Sequence, residues 1–179
     1  MDNGKISVRY ARALLNTAKA EQCAKEVYEG LQRLTRQYSQ AIAAFNEALS
    51  NPLVSPEKKQ ALLVTAIGEP VHPCLLRFIA FLIEKRRENK ILLIALDYQQ
   101  LYRKENRILR ADVTTATELD DQALEAIRDY VRQTFHREVE MQVKVDPSLI
   151  GGFILDIEHE RLDDSLAGRL NKLKKELQL

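Results

Sequence analysis

Apolar positions along the first hundred residues recur at helical spacing, and those beyond Asn106 alternate. The change of period divides the chain. From Ser7 to Glu21 the apolar residues fall on two stripes, one of Ile6, Tyr10, Ala13 and Leu14 and the other of Val8, Ala11, Leu15 and Ala18. A helix with two apolar faces either sits at the centre of a bundle or keeps one face for a partner. Val27, Leu31, Leu34 and Tyr38 predict a second helix, and Ile42, Phe45 and Leu49 a shorter third, stopped by Asn51 and Pro52. Ser55 as N-cap, Pro56 at the first helical position and Gly68 as a stop bracket a fourth. Leu75 to Ile83 is apolar nearly all round and predicts a helix buried on more than one side. After the charged run Glu84 to Lys90, the segment Ile91 to Leu96 with Tyr98, Leu101 and Tyr102 gives a sixth. Short connections between six such segments predict a compact bundle.

From Ile108 onward, Leu109, Ala111, Val113 and Thr115 alternate with polar residues and predict a strand. Leu119, Asp120 and Leu124 have the spacing of an N-cap with a hydrophobic staple, and Leu124, Ile127, Val131 and Phe135 continue as one helix face. Val139, Met141, Val143 and Val145 form a second strand, ended by Asp146 and Pro147 because proline cannot donate to a ladder and presets a turn. Gly151 and Gly152 imply positive φ or a backbone pressed against a neighbour. Phe153, Leu155 and Ile157 make a third strand, and Leu162 to Ser165 leads into a last helix marked by Leu166, Leu170, Leu173 and Leu177, with Lys172, Lys174 and Lys175 near its C-terminal dipole. Strand, helix, strand implies a right-handed crossover if the strands are parallel. The expected fold class is mainly α, an N-terminal six-helix bundle over residues 1–106 with a small C-terminal α/β domain over residues 107–179.

Several of these stretches carry a resemblance. VDPSLIGGF at Val145–Phe153, a short hairpin, and LDDSLAGRLNKL from Leu162 resemble the signature of the delta subunit of F-type ATP synthases, the family of the oligomycin-sensitivity-conferring protein. RYARAL from Arg9, NPLVSPEKK from Asn51, RFIAFLIEKRREN from Arg77 and ENRILRADV from Glu105 extend it over nearly the whole chain. The resemblance implies a non-catalytic stator subunit that links the alpha subunits of the catalytic head to the b subunits of the peripheral stalk. It also implies that the bundle binds N-terminal helical segments of the alpha subunits through its first and fifth helices. Carried to the matching positions, that implicates Tyr10, Ala13 and Leu14, with Phe78, Ile79 and Leu82. It implies further that the C-terminal domain engages the b subunits, with Pro147, Gly151 and Gly152 as the structural turn. The implied location is the cytoplasmic face of a bacterial cell membrane, with the isolated subunit monomeric.

Charge and candidate chemistry alter this picture little. The formal net charge is +1, yet residues 1–106 hold 16 Lys and Arg against 11 Asp and Glu while residues 107–179 hold 11 against 15, which fits two domains with different partners. The basic runs Lys85, Arg86, Arg87 and Arg103, Lys104, Arg107 motivate a helical RNA-binding adaptor as the alternative; they lack the interleaved aromatics that such surfaces use, so no nucleic-acid partner is expected. Phosphate-loop, zinc-protease, nucleophile-elbow and dinucleotide motifs are absent, and His72, His136 and His159 are scattered, so neither an active site nor a cofactor is expected. Cys23 and Cys74 are far apart without metal-like spacing and read as free thiols of a reducing compartment. The start MDNGKIS lacks the features of a signal or transit peptide, and the longest apolar run is far short of the roughly 20 residues a membrane span needs, so any membrane association is expected to be indirect.

Overall fold

The structure, a computed structural model, describes residues 3–157 and 160–170 of the chain, with side chains from Ile6 onward. Six α-helices follow one another: α1 (Asn3–Ala20), α2 (Ala24–Gln40), α3 (Ile42–Ser50), α4 (Pro56–Ile67), α5 (Pro73–Glu84) and α6 (Ile91–Glu105). Then come strand β1 (Ile108–Thr115), helix α7 (Asp121–Phe135), and strands β2 (Glu138–Val145), β3 (Phe153–Ile157) and β4 (Glu160–Asp163). The mainly helical class, with its small α/β part, is as expected. Contacts divide the chain into two compact units, Met1–Glu105 and Asn106–Leu179.

In the helical unit the ends are set by local chemistry. The Ser55 hydroxyl accepts from the Lys58 N–H, Pro56 fills the first position of α4, and Gly68 closes that helix at φ 74°. His72 caps α5, its Nδ1 accepting from the Cys74 N–H at 3.2 Å with Pro73 at the first position. The core runs through α1–α6 and includes Leu14, Leu15, Leu31, Leu34, Leu49, Leu63, Leu75, Ile79, Leu82, Ile94 and Tyr98. Tyr98 and Gln99 of α6 find polar partners on α2. Tyr98 donates to the Ala24 carbonyl at 3.0 Å, and Gln99 Nε2 donates to the Leu31 carbonyl at 3.2 Å. Lys59 and Glu88, both buried, meet at 2.6 Å, and the same ammonium donates to the Leu49 carbonyl at 2.7 Å. This pair ties α4 to the end of α3 and to the 3-10 turn Glu88–Lys90 before α6.

The second unit is a four-stranded sheet in the order β2-β1-β3-β4. β1 and β2 run parallel, pairing Leu109 with Val139 and Val113 with Val143, so α7 is the crossover between them. β3 lies antiparallel to β1 and β4 antiparallel to β3. Asp120 Oδ1 accepts from the Ala123 N–H at 2.7 Å to start α7, and His136 ends it at φ 51°. Leu109, Ala111, Val113, Val131, Leu155 and Ile157 form the core.

Two details differ from the sequence reading. Leu162 and Asp163, read as lead-in to the last helix, belong to β4, opposite Leu155 and Ile154. Strand β4 reads Glu-Arg-Leu-Asp, too short and too polar to show alternation, and its register comes from the pairing itself. Helix begins at Leu166, while Lys172, Leu173, Lys174, Lys175 and Leu177 lie outside the described residues, as do Glu158 and His159 between β3 and β4.

Candidate functional site, an apolar groove between two helices

Helices α1 and α5 of the helical unit leave a groove of about 490 Å³ between them. From α1 it is lined by Arg9, Tyr10, Ala13, Leu14 and Thr17, and from α5 by Cys74, Arg77, Phe78 and Phe81. Positions 10, 13, 14 and 17 and positions 74, 77, 78 and 81 have the same three-and-four spacing, so each set is one stripe of its helix. The Tyr10 and Phe81 rings approach to 6.1 Å between centroids at 41°, a tilted pair at one end of the groove. Cations rim it. The Arg9 guanidinium stands 5.8 Å from the Tyr10 ring centre, the Lys85 ammonium 5.7 Å from that of Phe81, and Arg77 pairs with Glu21. Lys85 also pairs with Glu84 at 2.7 Å, so the arrangement is an apolar trough margined by Arg9 and two ion pairs, suited to the apolar face of an amphipathic helix.

The residues singled out from the sequence divide. Tyr10, Ala13, Leu14 and Phe78 line the groove, with Tyr10 and Phe78 half-buried and Ala13 exposed. Leu14, 2% exposed, is also part of the core. Ile79 and Leu82 are fully buried in the core and line no part of the groove. Phe81, 41% exposed, lines it and was not singled out, although 74, 77, 78 and 81 share one face while 79 and 82 occupy the next. Helix α5, apolar nearly all round in sequence, is covered on one side only: Ile79 and Leu82 are enclosed and Phe81 is not.

In the second unit Pro147 opens the 3-10 turn Pro147–Leu149, with Asp146 Oδ1 accepting from the Ser148 N–H at 3.0 Å. The Ser148 hydroxyl, and after it this N–H, hold the Asp146 carboxyl below its usual range. Gly152 has φ 75°, and a Cβ there would stand 2.2 Å from the Asp164 carbonyl oxygen; at Gly151 a Cβ would stand 2.8 Å from Leu166 Cδ1. The turn is thereby pressed onto the segment entering the last helix, where the Leu166 N–H donates to the Gly151 carbonyl at 2.9 Å. A smaller hollow of about 270 Å³ lies between α7 and the sheet, with Tyr130 and Leu162 on its open side.

His72 and His136 act as helix caps, and His159 lies outside the described residues. The fold is a helical bundle followed by a small α/β unit, and the bundle carries an apolar groove between α1 and α5. Residues 6–177 match the family model described as "ATP synthase delta (OSCP) subunit", and the chain belongs to that family. It is 37% identical over 174 residues to ATP synthase subunit delta of Parabacteroides distasonis, covering 97% of this chain and 96% of that one. It is 35% identical over 178 residues to the subunit of Bacteroides fragilis, covering 98% and 95%. Among solved structures, it superposes on a chain of the Toxoplasma gondii mitochondrial ATP synthase hexamer with a TM-score of 0.69 at 21% identity, over 97% of both chains, which supports the fold. The protein is accordingly a non-catalytic stator subunit of an F-type ATP synthase. These likenesses give the RNA-binding alternative no support.

Proposed function

We propose that residues 1–106 dock an N-terminal helical segment of the alpha subunits of the catalytic head in the α1–α5 groove, and that residues 107–179 engage the b subunits of the peripheral stalk. The carrying observation is the groove itself, apolar along its length and lined by one stripe each of α1 and α5. A stator contact resists torque through affinity and stiffness, and a helix laid in an apolar trough supplies both without chemistry. Seating three or four large side chains gives about 1.5–3 kcal/mol each before association costs are subtracted. Among the described residues no helix is long and apolar enough to cross a membrane. Attachment to the cytoplasmic face of the membrane then runs through the other subunits, and the isolated chain is a monomer.

Calorimetry of the full chain with a synthetic peptide from the N-terminus of the cognate alpha subunit tests the groove. One-to-one binding at micromolar affinity or tighter, with a gain of helical circular dichroism, is the expected result. Absence of binding at peptide concentrations of hundreds of micromolar would overturn the assignment of the groove.

A further inference from the structure

Cys23 and Cys74, separated by fifty residues of sequence, come together at one end of the groove, and a carboxylate joins them. The two Sγ atoms and a carboxylate oxygen of Glu21 all lie within 4.8 Å of one another. Rigid backbone positions each sulfur. Gln22 at φ 56° makes a left-handed turn after α1, the Cys23 N–H donates to the Ala18 carbonyl at 2.8 Å, and Cys23 occupies the N-cap of α2. Cys74 sits at the second position of α5, held by Pro73 and by the bond from its N–H to His72 Nδ1. Both cysteines are buried and unoxidised, whereas Glu21 is exposed and reaches in from the rim.

We propose that Glu21, Cys23 and Cys74 form a binding site for a borderline-soft divalent cation of the Zn²⁺ type. Tetrahedral bonds of about 2.3 Å to sulfur and about 2.0–2.2 Å to oxygen place ligand atoms roughly 3.5–3.8 Å apart. From a spread of 4.8 Å, side-chain rotations of under about 1 Å per atom close that set. Two S–H protons leave to solvent as two Zn–S bonds form, and the Glu21 carboxylate supplies the third bond. The resulting charge of minus one is met by the Arg77 guanidinium, which already pairs with Glu21. A fourth position is left for water or, since Cys74 lines the groove, for a side chain of the groove's occupant. Burial pushes the Cys74 thiol up to about 11, with Cys23 adding to the shift, so loading must displace a firmly held proton. A bound cation would pin the α1–α2 turn to the start of α5 and stiffen the wall of the groove. The site stands on its own geometry and does not depend on what the groove binds.

The test uses the full chain, reduced with a phosphine and freed of metal, titrated with zinc chloride against a chromophoric zinc indicator. One equivalent should bind with Kd below about 1 μM, and zinc should protect both thiols from alkylation. Cys23→Ala and Cys74→Ala, which keep a small apolar group in the core, should each weaken binding at least about 100-fold, and Glu21→Gln about tenfold. Cobalt(II) in place of zinc should give a sulfur-to-metal charge-transfer band in the wild-type chain, a readout that requires no variant to fold. Absence of that band, uptake weaker than about 100 μM, or equal affinity in the double cysteine variant would each overturn the proposal.

Discussion

Ala13 and Leu14 are neighbours on α1, and the groove model assigns them opposite failures. Ala13 is exposed in the groove, and Leu14 is 2% exposed and packed in the core. Ala13→Glu places methylenes and a carboxylate across the trough; Arg9, one turn earlier, can hold the new charge at the rim, but the space stays filled. An occupant side chain that cannot seat forfeits about 1.5–3 kcal/mol, or roughly ten- to 150-fold in affinity. The helix itself should shift by no more than about 0.5 kcal/mol, because Glu is a good helix former at an exposed position. Leu14→Ala, by contrast, leaves a cavity costing about 2–5 kcal/mol, and at about 4–8 °C per kcal/mol for a unit of this size its melting temperature should fall by roughly 8–40 °C. Calorimetry with the alpha-subunit peptide and thermal melts by circular dichroism, run on both variants, separate the two losses. If Ala13→Glu binds like the wild type the groove is not the docking site, and if Leu14→Ala melts like the wild type the packing described for α1 is wrong.

Gly152→Val should cost more than about 3 kcal/mol, since positive φ and a backbone oxygen 2.2 Å from the new Cβ act together. An early melting transition of the C-terminal unit would be the sign, and unchanged melting would refute the turn geometry. Glu88→Ala strands the Lys59 ammonium with the Leu49 carbonyl and should lose about 3–5 kcal/mol in urea unfolding, while Lys59→Met with Glu88→Leu should recover most of it. A double variant no better than the single one would show that the pair is not isolated energetically. In the helical unit Cys74, Tyr38, Tyr98 and Tyr102 all have raised pKa values, chiefly from burial. Each folded-state value lies above the unfolded one, so their contribution is whole below pH 9 and is lost as pH rises through 9 to 11 for Cys74 and higher for the tyrosines. Melting at pH 7.5 and pH 10.5 should show the drop, with Cys74→Ala removing part of it; a melting temperature flat across that range would contradict these burial assignments.

The sequence by itself determined the elements. Ser55, Pro56 and Gly68 bracket α4, Asp120 opens α7, and the change from helical period to alternation near Asn106 separates two kinds of structure, because caps and periodicity are local properties of the backbone. Tertiary structure decided which apolar surface is used up. Leu14, Ile79, Leu82 and Phe81 all sit in segments apolar on more than one face, and periodicity reports that a face is apolar without reporting whether another helix covers it. Packing encloses Ile79 and Leu82 and leaves Phe81 at the groove. The same holds for the pairs that meet across long stretches of chain. Lys59 and Glu88, charged residues of two separate segments, are buried against each other, and Cys23 and Cys74, read as free thiols far apart in sequence, lie close together. Strand β4 has no pattern of its own and exists because β3 offers it an edge. Contacts of this kind depend on chain closure between distant residues, and the local pattern of side chains carries no record of it.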